Sequence, residues 1–329
     1  MEEKVEEFLA SLQAERGFSE NTIAAYRNDL LQFIAFLVAP PAADHVPAVS
    51  DWVALGDEQL SAYMLTLRGR DYAASTVARK TAALKSFCAF LRRQGIVPAG
   101  VGMKLASPKV SKYTPKGISE EQVQRLLEQP LNELPDRPER IRDQAMLEVL
   151  YATGMRVSEL VALDTDDVAL DRGDIKCQGK AGRGRVVPLS ETAVSAVRAY
   201  LDRARPVLLR DGTPSLFVNH RGGRLTRQGF WLILKAYAHR AGIAAITPHT
   251  LRHSYAIHAL TRGEELADLQ RKLGHVNIST TQVYRNLAAS DAAFGFIEPD
   301  GVERDGHALA DPSSPDVVRL SGALREVPL

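Results

Sequence analysis

Apolar positions recur every three to four residues along SENTIAAYRNDLLQFIAFL, where Ile23, Tyr26, Leu30, Phe33 and Leu37 follow Ser19. That spacing, with serine as N-cap, predicts an amphipathic helix. A Pro/Ala-rich stretch, APPAADHVPAVSD, predicts a loop before a short helix near residues 57–67. STVARKTAALKSFCAFLRRQG predicts a third helix that buries Val77, Leu84, Phe87 and Leu91, keeps Lys80, Arg92 and Arg93 within reach of solvent, and stops at Gly95. Residues 1–96 are therefore expected to form a small all-helical domain.

The pattern then lapses. VPAGVGMKLASPKVSKYTPKG mixes Pro, Gly and Lys without periodicity, so residues 97–116 are expected to be an extended basic linker. A capping box, Ser119 to Gln122, precedes Val123, Leu126 and Leu127 and predicts a helix running to YATG at 151–154. DIKCQGKAGRGRVVPL predicts two short strands around a Gly-rich turn with Lys180 at its tip, and SLFVN predicts one more strand. From Ser190 to about Ala289 the pattern is mostly helical, so 117–290 form the second domain. Beyond it, EPDGVERDGHALADPSSPDVV is acidic, rich in Pro, Gly and Ser and free of aromatic residues, which predicts disorder over 291–329. The fold class expected is mostly α with a small β-sheet (α+β), and the chain contains no internal repeat.

Length supports the division, because 329 residues exceed what one hydrophobic core usually organises. With 45% apolar residues and no apolar run long enough to span a bilayer, a soluble protein is expected. MEEKVEEFLASL opens acidic, unlike a secretory leader, and two cysteines suit a reducing compartment, so the expected location is cytoplasmic. The net charge of +1 hides an uneven distribution: residues 111–288 carry 26 basic and 20 acidic groups, whereas 289–329 carry 3 and 8. A basic middle is compatible with a polyanionic partner.

HTLRHSYAIH, residues 249–258, holds three of the eight histidines. On a helix His249 and Arg252 share a face and can converge on one ligand; His253 can join them as a packing or supporting residue, and His258 points away. Four further groups sit at chain turns or on a helix beyond them: Arg156 in ATGMRVSEL, Lys180 in QGKAGRGRVVPL, and His275 and Tyr284 in LGHVNISTTQVY, on a helix that Ser279 or Thr280 could cap. Each alone has an ordinary explanation: a pairing of Arg156 with Glu159, a solvated lysine turn, a helix end, a core tyrosine. Together they form a set suited to phosphate chemistry.

Those motifs, supported by SENTIAAYRNDL and STVARKTAALKSF, resemble the tyrosine recombinases, and most closely the short Xer-type members, over roughly residues 5–288. The resemblance implies a helical, SAM-like core-binding domain followed by a tyrosine-recombinase catalytic domain, with Arg156, Lys180, His249, Arg252, His275 and Tyr284 as catalytic residues. Tyr284 would be the nucleophile, giving a 3′-phosphotyrosyl linkage and a free 5′-hydroxyl. A phenol is a weak nucleophile at its ordinary pKa, so it needs proton removal and relief of the charge building on phosphorus. His249 can accept or manage that proton, Arg156, Arg252 and His275 can meet the phosphate oxygens, and Lys180 can protonate the departing oxygen. No cofactor is expected, neither metal nor ATP, since arginines take the charge-stabilising part and the tyrosyl ester keeps the energy of the broken bond.

The resemblance further implies a double-stranded DNA recombination site as partner and a tetramer passing through a Holliday junction, either of this chain alone or with a second recombinase. A DNA translocase as activator is compatible with it, and no membrane is involved. Lys80, Lys109, Lys112, Arg221 and Arg224 are candidate DNA contacts, with Lys104, Lys116 and Arg227 beside them. The implied role is resolution of chromosome dimers at cell division. The alternatives are the same chemistry serving a plasmid, phage or other mobile element, and a catalytically silent DNA-binding relative. Arg271-Lys272 and Pro98-Ala99-Gly100 depart from the common pattern, and Ala293–Ile297 is the apolar cluster that would dock in a neighbouring protomer.

Overall fold

The computed structural model describes residues 1–39, 48–108, 115–133, 136–179, 184–210, 212–275 and 277–289. Two compact units divide near residue 112. The first contains α1 (Glu2–Arg16), α2 (Glu20–Val38), α3 (Asp57–Gly69) and α4 (Ala74–Arg93). In α1, Val5, Phe8, Leu9 and Leu12 fall at helical spacing and are all buried. Ser19 caps α2, its hydroxyl accepting from the Thr22 amide at 3.4 Å. Aromatic side chains form the centre, with Phe87 5.3 Å from Phe8 and 4.9 Å from Trp52 between ring centroids.

Two expectations for this unit are corrected. Lys80 is only 3% exposed, and its ammonium donates to Asp29 Oδ1 at 2.9 Å and Gln32 Oε1 at 2.7 Å. A fully buried carboxylate on α2 needs a cation, and α4 supplies it, so Lys80 belongs to the interior rather than to a DNA-facing surface. The stretch after α4 is also packed rather than extended: Val97, Val101 and Leu105 enter the same core. The Gly102 amide donates to Asp57 Oδ1 at 2.8 Å, and Arg92 donates to the Val101 carbonyl. The apolar spacing of four residues is present there, masked by Pro98 and the glycines.

The second unit contains α5 (Glu120–Glu133), α6 (Pro138–Thr153) and α7 (Val157–Ala162), then β1 (Val168–Ala169), β2 (Asp174–Cys177) and β3 (Arg185–Pro188). α8 (Glu191–Ala199), α9 (Arg205–Leu208), α10 (Arg227–Arg240), α11 (Pro248–Thr261), α12 (Leu266–Leu273) and α13 (Ser279–Ala288) follow, with a π-turn over Tyr200–Ala204 joining α8 to α9. The single helix expected up to 154 is two, because Pro138 opens α6 as a new helix. The antiparallel sheet has the order β1-β2-β3, with Ile175 opposite both Val168 and Val187, and Cys177 opposite Arg185. SLFVN is not a strand; Ser215 and Val218 make isolated bridges while Leu216, Phe217 and Val218 fill the core. A short apolar run reads alike for a strand and for buried irregular chain.

Candidate active site

α11 is the platform. Pro248 opens it, and Thr247 caps it by accepting from the Thr250 amide at 3.1 Å. Ser254, further along, accepts from the Ile118 amide at 2.9 Å, tying α11 to the chain entering α5. Arg252 is 4% exposed and largely spent on the fold: Nη1 donates to the Gly154 carbonyl and Nη2 to the Leu273 carbonyl, both at 2.7 Å. Nη2 also lies 3.0 Å from His275 Nε2. Burial, and next the like charge of Arg156, lowers the Arg252 pKa to about 10, leaving a cation at neutral pH.

Two left-handed glycines deliver partners to that platform. Gly154 (φ 57°) ends α6, and a Cβ there would sit 2.2 Å from the Tyr255 ring, so the close approach of α6 to α11 requires glycine. The chain then turns into Arg156, the N-cap of α7. Its amide donates to Glu159 Oε2 at 2.8 Å, and its guanidinium lies 3.1 Å from Glu159 Oε1 while staying partly exposed. Gly274 (φ 64°) ends α12 in the same way and puts His275 immediately after it.

Arg185, at the start of β3, joins these pieces. Its two terminal nitrogens each donate to a Glu159 oxygen at 2.9 Å, and Nε donates to the Lys272 carbonyl at 2.6 Å. Burial works against ionisation of Glu159, but hydrogen bonds from Arg185 and from the Arg156 amide outweigh it and hold the carboxyl below its usual range. The hairpin, α7 and α12 thus meet at one guanidinium, that of Arg185. Sequence reasoning did not single out Arg185; its only signal was an arginine two positions before Val187, hence on the same strand face as that buried residue.

His275 faces Arg252 with Nε2 and Thr281 with Nδ1, which is 2.9 Å from the threonine hydroxyl. A guanidinium can only donate, so Nε2 accepts and the proton sits on Nδ1, which donates to Thr281. Burial and then Arg252, Arg156 and Arg185 lower the His275 pKa to about 4. Tyr284, on α13, is 4% exposed, and its hydroxyl lies 2.7 Å from His253 Nδ1. His253 is itself held near a pKa of about 4, by burial first and then by His249, Arg252 and His275.

The structure therefore brings together Arg156, Arg252, His275 and Tyr284, with His249 on the exposed first turn of α11 and its ring centroid 6.3 Å from that of His253. His253, expected to support or merely pack, touches the tyrosine hydroxyl directly. His258 does lie apart, 2.8 Å from the Tyr151 hydroxyl through Nδ1. α13 starts at Ser279 behind Ile278 without a side-chain cap, so neither Ser279 nor Thr280 has the capping role expected of it. Arg221 and Arg224 are both exposed, and Arg224 is also engaged by the fold, donating to the Val161 and Leu163 carbonyls and to Asp164. Lys180, Lys109, Lys112 and the cluster at 293–297 lie outside the described residues. No helix among the described residues is long and apolar enough to cross a membrane.

Comparison with known proteins gives a consistent result. The phage integrase family matches residues 116–291, and the phage integrase N-terminal SAM-like domain matches residues 5–95. The chain is 50% identical to tyrosine recombinase XerC of Herpetosiphon aurantiacus, covering 88% of this chain and 92% of the relative. It is 40% identical to tyrosine recombinase XerD of Listeria monocytogenes, covering 87% and 95%. Among solved structures, a XerH site-specific recombinase bound to its difH substrate, in a pre-cleavage complex, matches in fold with a TM-score of 0.67 at 20% identity, covering 87% of this chain and 82% of that one.

Proposed function

The chain belongs to the phage integrase family, among the Xer-type tyrosine recombinases, enzymes that cut and rejoin DNA; from that premise we propose that Tyr284 is the nucleophile of a strand exchange resolving chromosome dimers. The observation that supports the assignment most directly is the convergence of Tyr284, His253, His275 and Arg252 from α11, α12 and α13. The Tyr284 oxygen attacks a backbone phosphorus, and the bond to the 5′-oxygen breaks. Charge then grows on the non-bridging oxygens, where the partly exposed guanidinium of Arg156 and the anchored guanidinium of Arg252 stabilise it. His249 adds an N–H to the same phosphate. Lys180 supplies the proton for the departing 5′-oxygen.

The phosphotyrosyl ester keeps the energy of the broken bond, so a 5′-hydroxyl from a second duplex reverses the step without ATP, and the arginines take the charge-stabilising part without a metal. Assembly is a tetramer on two DNA sites, built from this chain alone or with a second recombinase, and a DNA translocase is a fitting activator.

The test is a nicked duplex carrying a site selected by binding from random-sequence DNA. Wild-type protein is expected to trap a covalent adduct on a denaturing gel, with or without EDTA. Tyr284→Phe is expected to bind the duplex and form no adduct. An adduct in that variant would overturn the nucleophile assignment, and loss of the wild-type adduct in EDTA would overturn the metal-independent reading.

A further inference from the structure

We propose that His253 is a catalytic residue of the cleavage step, its Nδ1 taking the phenolic proton of Tyr284 as the tyrosine oxygen bonds to phosphorus. This rests on the reading that Tyr284 is the nucleophile. The sequence pattern gave that proton to His249, but His249 is on the exposed first turn of α11, one helical turn before His253. His253 Nδ1 lies 2.7 Å from the Tyr284 hydroxyl, at hydrogen-bond distance for direct proton transfer. The rings are tilted by 43° with centroids 5.5 Å apart, and the tyrosine is buried among Tyr255, Leu269, Leu273 and Leu287. The pairing is therefore set by the packing of α11 against α13, not by two mobile surface side chains.

Direction follows from charge. His253 is half-buried beside His249, Arg252 and His275, and the desolvation and those neighbours keep the imidazole neutral at physiological pH. A neutral imidazole has one acceptor nitrogen; with the proton on Nε2, Nδ1 accepts from the phenol. The same surroundings make His253 a poor base until a phosphodiester enters. A phosphate between Arg156 and Arg252 adds the negative charge that offsets the neighbouring cations and raises the affinity of His253 for a proton. Deprotonation of the nucleophile is thereby tied to the presence of the bond to be cut.

The step balances. The bond from Tyr284 Oη to phosphorus forms, the bond from phosphorus to the 5′-oxygen breaks, the phenolic proton moves to His253 Nδ1, and the 5′-oxygen receives its proton from the acid assigned above to Lys180. On rejoining, the incoming 5′-hydroxyl returns a proton to that acid and His253 returns its own to Tyr284.

The nicked-duplex assay with full-length protein tests this. His253→Ala is expected to slow adduct formation by roughly 100-fold while gel-shift affinity stays within about twofold. His253→Asn, whose amide oxygen can accept the hydrogen bond from Tyr284 but cannot take its proton, is expected to stay close to the rate of His253→Ala. Replacing Tyr284 by a difluorotyrosine, a more acidic phenol, is expected to restore much of the rate to His253→Ala, a rescue that a purely structural role would not give. Wild-type rates in His253→Ala, or no rescue by the fluorinated phenol in a variant that binds DNA normally, would overturn the assignment. If circular dichroism shows His253→Ala unfolded, His253→Asn with and without the fluorinated phenol decides by the same criteria. Wild-type protein run in parallel separates the two claims, because a failure to form any adduct removes the nucleophile reading itself, and this assignment with it.

Discussion

His253 and His275 both sit near a pKa of about 4, against 6.5 for an ordinary histidine. The sign of the consequence is fixed. Between those values the unfolded chain binds protons that the folded chain refuses, so stability is complete above about pH 6.5 and is lost as pH falls toward 4. Glu159, also held below its usual range, acts in the same direction at lower pH. By pH 5 each imidazole has cost the fold up to roughly 2 kcal/mol relative to neutral pH, a figure that solvent screening of these partly exposed rings reduces. Wild-type melting temperature is expected to drop by several degrees from pH 7 to pH 5, and by less in His253→Asn. An identical pH slope in the variant would mean that burial of this imidazole is not what refuses the proton.

At the level of elements, the site depends on chain segments that cross near Glu159. Arg185→Met removes three hydrogen bonds at once and leaves a buried carboxylate short of its strongest partner. The expected cost is about 3–5 kcal/mol, read by chemical denaturation, with part of it recovered in the Arg185→Met, Glu159→Gln double variant. A double variant no more stable than the single would show that the lost pairing with Glu159 is not the cause. Which elements were legible in the sequence follows from the same physics. α2, α4 and the β2-β3 hairpin were visible because each carries its own period and its own turn or cap. The Arg185 contact was not, because it joins positions 26 and 87 residues apart and no local pattern encodes such a meeting. Lys80 failed for the same reason: its partner Asp29 is 51 residues away, and helical spacing alone placed the lysine in reach of water.

Across the whole molecule, the described residues form one core in the first unit, around Phe33, Trp52 and Phe87, and two clusters in the second, a large one around Met146, Tyr200 and Phe230 and a smaller one around Tyr255, Leu273 and Tyr284. Length and the lapse in periodicity after Gly95 were enough to anticipate two domains, although Val97, Val101 and Leu105 carry the first core further than the pattern suggested. The candidate chemistry was legible as a set of residue types in order along the chain. Their convergence was not, because Arg252 reaches Gly154 across 98 residues and only the folded unit shows that contact. That convergence within one unit has a genetic meaning. Since α13 lays Tyr284 against α11 of its own chain, the nucleophile proposed above comes from the same copy as the His253 and Arg252 of that helix. Two differently crippled alleles, Arg252→Ala and Tyr284→Phe, are then expected not to complement. Purified together on the nicked duplex they should form no adduct, whereas a tyrosine lent from one copy to its neighbour would restore it.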